Sequence, residues 1–248
     1  MREENNNQIC GVHAILEVLL HAPHRLIRVF LEEGRVEKKE EIISLCKKAN
    51  IQLQVISKER LNRLAGVTTP HQSMIAEIKP RIYLDTKSFL KQVADQESSL
   101  VLMVDQIFDP QNFGALIRSA ECFGADGIVW SKNRGTDITP AAAKASCGAS
   151  ELLPLIRISN LAQAVDEFQK AGFSAIAALA TPSSQNAFTF KFPAKTLLIV
   201  GSEGTGIQPL LQKKSNDSIY IPMQGKIASL NVSNAAAILL ALYRKWPV

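Results

Sequence analysis

Short apolar runs alternate with amphipathic stretches from residue 100 onward. The first run, Leu100–Val104, contains no polar residue, which is typical of a strand that is covered on both faces. Alternating buried strands and helices predict a mainly parallel sheet, whose ligand binds at the carboxyl ends of the strands. The predicted strands are Leu100–Val104, Gly127–Trp130, Ser174–Leu179, Thr196–Val200 and Ser218–Met223, and the predicted helices are Ala115–Phe123, Ala141–Ala149, Leu161–Ala171 and Ala235–Tyr243.

The first 80 residues show a similar alternation and predict a small α/β unit that ends near Pro80. Residues 81–98 are more polar and predict a linker with a helical stretch. The predicted domains are therefore 1–80, a linker at 81–98, and 99–248. In the first domain we expect helices at Ile9–Leu20, Lys38–Asn50 and Lys58–Ala65, and strands at Leu26–Leu31, Ile51–Ile56 and Met74–Ile78.

The amino-acid composition limits the classes of protein to which the chain can belong. Hydrophobic residues make up 46% of the chain and charged residues 21%, as in ordinary globular proteins. The most apolar stretch, Ala235–Tyr243, is about half the roughly 20 residues that a membrane-spanning helix needs. The polar start of the chain predicts no signal peptide. A net charge of +5 is compatible with a polyanionic partner but does not identify one.

The cysteines and histidines predict no metal site, because no CxxC pair is present and no histidine has the spacing of a zinc ligand. Widely separated cysteines predict reduced thiols in a cytoplasmic protein.

The loop after the first strand of the parallel sheet, residues 105–114, contains turn-forming and helix-capping residues. A strand–loop–helix junction accounts for Asp109-Pro110 and Asn112. Arg118 needs another explanation, because its small and apolar neighbours predict a partly buried side chain. An arginine near the start of a helix suits a bound anion, and an ion pair with a nearby carboxylate is the alternative. The pattern leaves both open.

Two further loops follow predicted strands. Gly201–Gly206 has the glycine spacing of a phosphate loop, but Ile207-Gln208 replaces the lysine and hydroxyl residue that such a loop requires. Its glycines therefore indicate tight turns and close approach to a ligand, with Glu203 as a hydrogen-bond acceptor. The third loop, Ser229–Ser233, has more polar side chains than one helix cap uses, which predicts that it binds a polar group.

Together the three loops lack a nucleophile paired with histidine. The set suits a reaction in which a bound small molecule brings the reactive group and the protein positions the reactants.

These loops resemble the three motifs of the SpoU (TrmH-like) RNA 2′-O-ribose methyltransferase family, and the resemblance covers residues 99–248. The matching segments are Asp109-Pro110-x-Asn112-x-Gly114-x-x-x-Arg118-x-Ala120, Gly201-x-Glu203-x-x-Gly206 and Ile221-Pro222-Met223-x-Gly225-x-x-x-Ser229-Leu230-Asn231-Val232-Ser233.

The N-terminal part resembles the substrate-binding domain of those members that methylate a guanosine of 23S ribosomal RNA. The matching residues are Gly11-Val12-His13-Ala14, Val29-Phe30 and Thr69-Pro70-His71-Gln72. Two positions depart from the family pattern: Gln111 stands where many relatives have histidine, and Ser73 where they usually have glycine.

The resemblance implies an α/β fold whose C-terminal domain carries a trefoil knot and binds S-adenosylmethionine, preceded by a small α/β RNA-binding domain. It also implies a homodimer that acts on RNA without a metal or a membrane. The implied catalytic residues are Asn112, Arg118, Glu203, Ser229 and Asn231, and the implied cofactor-binding residues are Thr181, Gly201, Ile221, Met223 and Leu230.

Arginine normally stays protonated, so we expect Arg118 to clamp the target phosphate rather than to act as the base. Glu203 and Asn112 would orient Arg118 or the ribose hydroxyl. The identity of the base and the protomer that supplies Arg118 remain open. So do two alternative functions: methylation of transfer RNA or another ribosomal site, and non-catalytic RNA binding or ribosome assembly.

Overall fold

The computed structural model describes residues 8–34, 36–65, 71–202, 204–227 and 229–244. The chain divides into two compact units. The first contains Met1–Ile82 and Ile138–Leu152, and the second contains Tyr83–Asp137 and Leu153–Val248.

The first unit contains a four-stranded sheet in the order β1-β4-β2-β3. β4 pairs antiparallel with β1 and β2, whereas β2 and β3 are parallel. The main core of the unit includes buried residues of α1 and α2, while Leu61 of α3 packs with Phe30 and Ile75 in a smaller cluster. The elements are β1 (Gln8–Cys10), α1 (Val12–His21), β2 (Leu26–Glu32), α2 (Lys39–Lys48), β3 (Gln52–Ile56), α3 (Lys58–Ala65) and β4 (Met74–Ile78).

The second unit is built on a seven-stranded sheet in the order β7-β6-β5-β10-β8-β11-β9. Every pair in it is parallel, which confirms the predicted parallel sheet. The elements from residue 86 onward are α4 (Thr86–Gln92), β5 (Ser99–Asp105), α5 (Pro110–Cys122), β6 (Gly127–Ser131), α6 (Pro140–Ala145), β7 (Leu155–Ile158), α7 (Leu161–Lys170), β8 (Ser174–Ala178), β9 (Gln185–Asn186), β10 (Lys195–Gly201), α8 (Pro209–Lys214), β11 (Asp217–Tyr220) and α9 (Val232–Arg244).

The segment predicted as a linker, residues 81–98, differs in the structure. Its helix α4 belongs to the second unit, and Phe89 is fully buried there against Phe168. Val93 is buried in the same core, and Leu84 and Leu90 pack against it. The predicted helical stretch is present, but the polar residues between these apolar ones gave no sign that it packs into a core.

Residues 138–152 depart from the predicted domain division. The predicted helix Ala141–Ala149 is shorter in the structure, since α6 ends at Ala145 and Gly148 has a φ of 93°. A 3-10 turn, Ala149–Glu151, follows. The segment packs with the first unit, which it reaches after more than 50 intervening residues of the second.

Glu151 ties this segment to the first unit. Its carboxylate side chain is fully buried and accepts hydrogen bonds from two arginines. Arg25 Nη2 lies 2.8 Å from Oε2, and Arg81 Nη2 lies 2.6 Å from Oε1. Ser150 Oγ donates to the same carboxylate at 3.1 Å. Two opposite charges and a hydroxyl therefore compensate for the burial of one carboxylate.

We expect Glu151→Gln to lower the free energy of unfolding by about 2 kcal/mol, because an amide is a weaker acceptor for two charged donors and turns an N–H toward one of them. Chemical denaturation followed by circular dichroism measures this. The matched control is Glu97→Gln, at an exposed position before β5, which should change the free energy by less than about 0.5 kcal/mol. Equal stabilities of the two variants would contradict a role for the arginine pair.

The backbone at Ser73 has a conformation that favours glycine, the residue that relatives usually have there. Gln72 and Ser73 have φ values of 49° and 62°, in the left-handed region that glycine adopts without steric cost. Ser73 also donates its backbone N–H to His71 Nδ1 at 3.1 Å. Of the other residues that carry the N-terminal resemblance, Thr69 and Pro70 lie outside the described residues.

Burial raises the pKa of the Cys10 and Cys46 thiols to about 11.

Among the described residues, no group of histidine, cysteine or acidic side chains could hold a metal ion. The helices in the same ranges include none that is long and apolar enough to cross a membrane.

Candidate active site

The three loops singled out in the sequence follow the carboxyl ends of β5, β10 and β11. β5 and β10 are adjacent, with Gly201 opposite Asp105 in the register, and β8 separates β10 from β11. Because all these strands are parallel, the loops after them emerge at the same edge of the sheet. The sheet therefore brings together segments that lie about 100 residues apart in sequence.

The loop after β5 ends in a helix cap. The carboxylate of Asp109 accepts hydrogen bonds from the backbone N–H groups of Gln111 and Asn112, at 3.1 and 3.2 Å. Pro110 occupies the first turn of α5, where its missing N–H costs nothing. This cap places Asn112 in the first turn of the helix.

A hydrogen bond joins the first and third loops. Asn231 Nδ2 donates to Asn112 Oδ1 at 2.8 Å, across 119 positions of sequence. Helices α5 and α9, which carry these asparagines, also pack against each other. Two residues of the predicted catalytic set are thus in direct contact.

Asn231 also caps α9. Its Oδ1 accepts from the backbone N–H of Ser233 at 2.9 Å and from Ser233 Oγ at 2.6 Å, and its backbone carbonyl accepts from Ala235. The polar side chains of the third loop therefore do more than cap one helix: they also link α9 to α5.

These two roles of Asn231 can be separated. We expect Asn231→Asp to keep the cap of α9 but to lower turnover about tenfold, because a carboxylate cannot donate to Asn112 Oδ1. Asn231→Ala should lose both functions and in addition destabilise the fold by about 1 kcal/mol. Turnover and thermal unfolding of both variants measure the difference. If the aspartate variant turned over as fast as the unaltered protein, donation from Asn231 to Asn112 would have no part in catalysis, since Asn112 can still donate its own Nδ2 to the carboxylate.

An apolar cavity of about 180 Å³ lies beside the third loop. It opens between the ends of β8 and β11, and Ala178, Ala180 and Ala235 leave room in its wall. Four residues that line it belong to the predicted site: Ile221, Met223, Ser229 and Leu230. A mainly apolar cleft with a few polar groups at its rim is the usual form of a small-molecule site.

Thr181 lines a second, more polar cavity of about 570 Å³, which shares Leu179 with the apolar one. The Thr181 hydroxyl makes a 2.8 Å hydrogen bond with Ser184 Oγ. Thr181 thus lies next to the apolar cavity, on the loop after β8.

Gly201 lies at the end of β10 in a tight turn with Gly206. A Cβ atom at Gly201 would come within 2.3 Å of the backbone carbonyl of Gly206 and within 2.5 Å of Ile207 N. No side chain fits there without displacing the loop. This is the close backbone approach that the glycine spacing predicts, although its nearest partner in the structure is the loop itself.

Arg118 is exposed on α5. The expectation of a partly buried side chain is therefore wrong: Leu116, Ile117 and Ala120 face the core, and Arg118 lies on the opposite side of the helix. Glu203 lies outside the described residues, so its place relative to Arg118 stays a prediction.

Sequence reasoning missed the anchor of the glycine loop. Asp105 is fully buried, and its carboxylate accepts from Gln208 N at 2.8 Å and from Gln208 Nε2 at 2.6 Å. Thr205 Oγ1 donates to Gln106 Oε1 at 2.9 Å. These bonds hold the loop after β10 against the end of β5. The available signal was an aspartate directly after the apolar run Leu100–Val104.

Comparisons with known proteins cover both parts of the chain. Residues 99–241 match the model of the SpoU rRNA Methylase family. Residues 8–84 match a model described as RNA 2′-O ribose methyltransferase substrate binding.

Relatives match along almost the whole length. The 23S rRNA (guanosine-2′-O-)-methyltransferase RlmB of Haemophilus influenzae is 31% identical over 236 residues, which is 95% of this chain and 96% of the relative. A Staphylococcus aureus protein assigned to the TrmH family of tRNA/rRNA methyltransferases is 35% identical over 240 residues, covering 96% and 95%. The solved structure of the SpoU methyltransferase AviRb from Streptomyces viridochromogenes, in complex with AdoMet, superposes with a TM-score of 0.77 at 21% identity, covering 96% of this chain and 89% of that one.

Proposed function

The chain belongs to the SpoU rRNA methylase family, and from this membership we propose that it transfers a methyl group from S-adenosylmethionine to a ribose 2′-hydroxyl of RNA. The proposed substrate is a guanosine of 23S ribosomal RNA. Relatives such as RlmB, which matches along both units of the chain, support this choice.

The observation that carries the proposal is the hydrogen bond between Asn112 and Asn231 beside the apolar cavity. It brings two distant motifs together at the edge of the sheet where ligands of parallel α/β folds bind. A role in a helix cap would explain each asparagine by itself. It would not explain why the two side chains contact each other.

The cavity fits the cofactor chemically. Its alanines and Leu230 offer apolar surface to a flat base, and the Ser229 hydroxyl lies at the rim. We place Ile221, Met223 and Leu230 against the cofactor, with Thr181 and Gly201 on the neighbouring loops. When bound, S-adenosylmethionine supplies the activated methyl group.

The protein itself supplies position and electrostatics. Methyl transfer needs the ribose oxygen held in line with the methyl carbon, and alignment alone gives a large share of the acceleration. Arg118 is exposed, as a group that grips the substrate phosphate must be, and its fork also stabilises negative charge that develops on the ribose oxygen. Asn112 and Glu203 orient Arg118 or the hydroxyl, and Ser229 and Asn231 complete the catalytic set.

Further features of the family are part of the proposal. We place the knot in the C-terminal part of the second unit, where α9 packs back against α5. The protein acts as a homodimer in the cytoplasm, and sedimentation at micromolar concentration tests the dimer. We keep 1–80 as the proposed RNA-binding part and 99–248 as the proposed methyltransferase part of the sequence, although residues 138–152 pack with the first compact unit and helix 86–92 belongs to the second.

One substrate alternative has a specific observation behind it. The Staphylococcus aureus relative belongs to a family named for both tRNA and rRNA. The match of residues 8–84 to a substrate-binding domain favours rRNA over the smaller tRNA. This part of the chain adds a surface that can bind the larger RNA.

The test is methylation of separated RNAs by the purified protein. Large-subunit rRNA, small-subunit rRNA and tRNA from cells that lack this protein are incubated with tritiated S-adenosylmethionine, and 2′-O-methyl positions are mapped by reverse transcription. We expect label in 23S rRNA, with the 2′-O-methyl group at a single guanosine. Label only in tRNA would move the substrate to tRNA, and failure to bind S-adenosylhomocysteine would revive the non-catalytic RNA-binding alternative.

A further inference from the structure

Two loops on the other side of β10 from the apolar cavity pack against each other and form one surface. They follow the adjacent strands β5 and β6 and comprise residues 106–109 and 132–137. Thr136 N donates to Ile107 O at 2.7 Å. Gly135 has a φ of 136°, and a Cβ there would lie 2.8 Å from the same carbonyl oxygen. The absence of a side chain at Gly135 therefore allows loop 132–137 to pack directly against the backbone of loop 106–109.

An aromatic side chain is exposed on this surface. Phe108 retains 66% of its accessible area although it lies directly before the cap of α5. Exposing a phenylalanine forfeits about 2 kcal/mol of hydrophobic stabilisation, so the fold gains nothing from it. It lies four residues before Asn112 and therefore close to the candidate active site.

Basic side chains accompany the aromatic ring. Lys132 and Arg134 are exposed on the adjoining loop. Arg134 donates to Gln208 Oε1, and Gln208 in turn donates to the buried carboxylate of Asp105. This chain of bonds holds the guanidinium in place at the sheet edge.

We propose that Phe108, Lys132 and Arg134 bind a nucleotide of the RNA substrate that flanks the methylated one. The base of that nucleotide stacks on Phe108, and its phosphate lies at the two cations. This inference rests on the proposed function, since it assumes that RNA is the substrate.

Physical chemistry favours a nucleic acid over a protein at this surface. Unpaired bases stack on aromatic side chains regardless of sequence, and cations beside the ring neutralise the backbone. A docking site for a protein would instead surround the ring with further apolar residues. Here the exposed neighbours are Asp109, whose carboxylate is engaged by the cap of α5, and the polar residues of loop 132–137.

The experiment compares variants of the full chain in methylation of 23S rRNA from cells that lack the protein. Phe108→Ala should raise KM for this RNA about tenfold with little change in kcat, because a stacked base stabilises the complex by about that factor. Phe108→Trp keeps an aromatic ring and should have the KM of the unaltered protein. Lys132→Gln combined with Arg134→Gln should lower the slope of log Kd against log KCl concentration by about 0.7 for each lost phosphate contact.

Matched controls follow β9, an edge strand of the same sheet that is separated from β5 by β10, β8 and β11. Phe188 is 57% exposed and Lys191 is exposed, both just after β9. Phe188→Ala and Lys191→Gln should leave KM and the salt slope unchanged. Affinity for S-adenosylhomocysteine, measured by calorimetry, should be the same in all variants.

A wild-type KM in Phe108→Ala, or an unchanged salt slope in the double variant, would overturn the inference. So would an equal rise of KM in Phe188→Ala, because the effect would then not be local to this surface. Absence of methyl transfer by the unaltered protein is a different result, which counts against the proposed function itself.

Discussion

Arg118→Lys is expected to lower kcat about a hundredfold while affinity for S-adenosylhomocysteine stays unchanged. Lysine keeps the positive charge but loses the planar fork that binds a phosphate through two hydrogen bonds. Removing one preorganised donor from a charge-stabilising site typically costs a factor of 100 to 1,000. Because Arg118 is exposed on α5, the replacement should not disturb the fold.

Single-turnover methylation of 23S rRNA measures this prediction, with thermal unfolding as the control for folding. Near-normal turnover in the lysine variant would show that charge alone is enough and that the bidentate clamp is wrong. A fall in cofactor affinity would instead place Arg118 in the cofactor site.

Gly201→Ala is expected to weaken S-adenosylhomocysteine binding about fiftyfold and to leave RNA affinity alone. One added methyl group would meet the backbone of Gly206 at 2.3 Å, so the glycine loop must move. Overpacking of this kind typically costs 1 to 3 kcal/mol. The loop is held to β5 through Asp105 and Gln208, so it cannot yield freely.

Gly204→Ala is the matched control, in the same loop and with the same added methyl group. A Cβ at Gly204 would have no neighbour within 4 Å among the described residues. Calorimetry should therefore find cofactor affinity close to normal in the control. If both variants bound equally well, the turn between Gly201 and Gly206 would have no part in the cofactor site.

Local pattern was enough to predict several elements. Every residue of β5 is buried, as its uninterrupted apolar run predicts. The helix Lys58–Ala65 and the strand Met74–Ile78 have the predicted bounds. In each case the period of the apolar positions matches the geometry of one element, and a single element needs no information from the rest of the chain.

The pattern failed where packing depends on distant residues. The stretch around Phe89 looks like a linker until the partner Phe168 is known. Glu151 follows the predicted helix Ala141–Ala149 and nothing in the sequence around it predicts burial, yet its side chain is buried between arginines 70 and 126 positions away. Arg118 was expected to be partly buried because its sequence neighbours are apolar, but a helix turns those neighbours to the other side.

By itself the sequence determined the class of fold, the parallel sheet and three loops rich in polar groups, because these follow from short-range periodicity and residue chemistry. Only the tertiary structure decided which of those groups meet. The contact of Asn112 with Asn231, the anchoring of the glycine loop on Asp105 and the surface beside Phe108 all depend on strand order. Strand order arises from packing distant segments of the second unit into its core, and no local pattern encodes it.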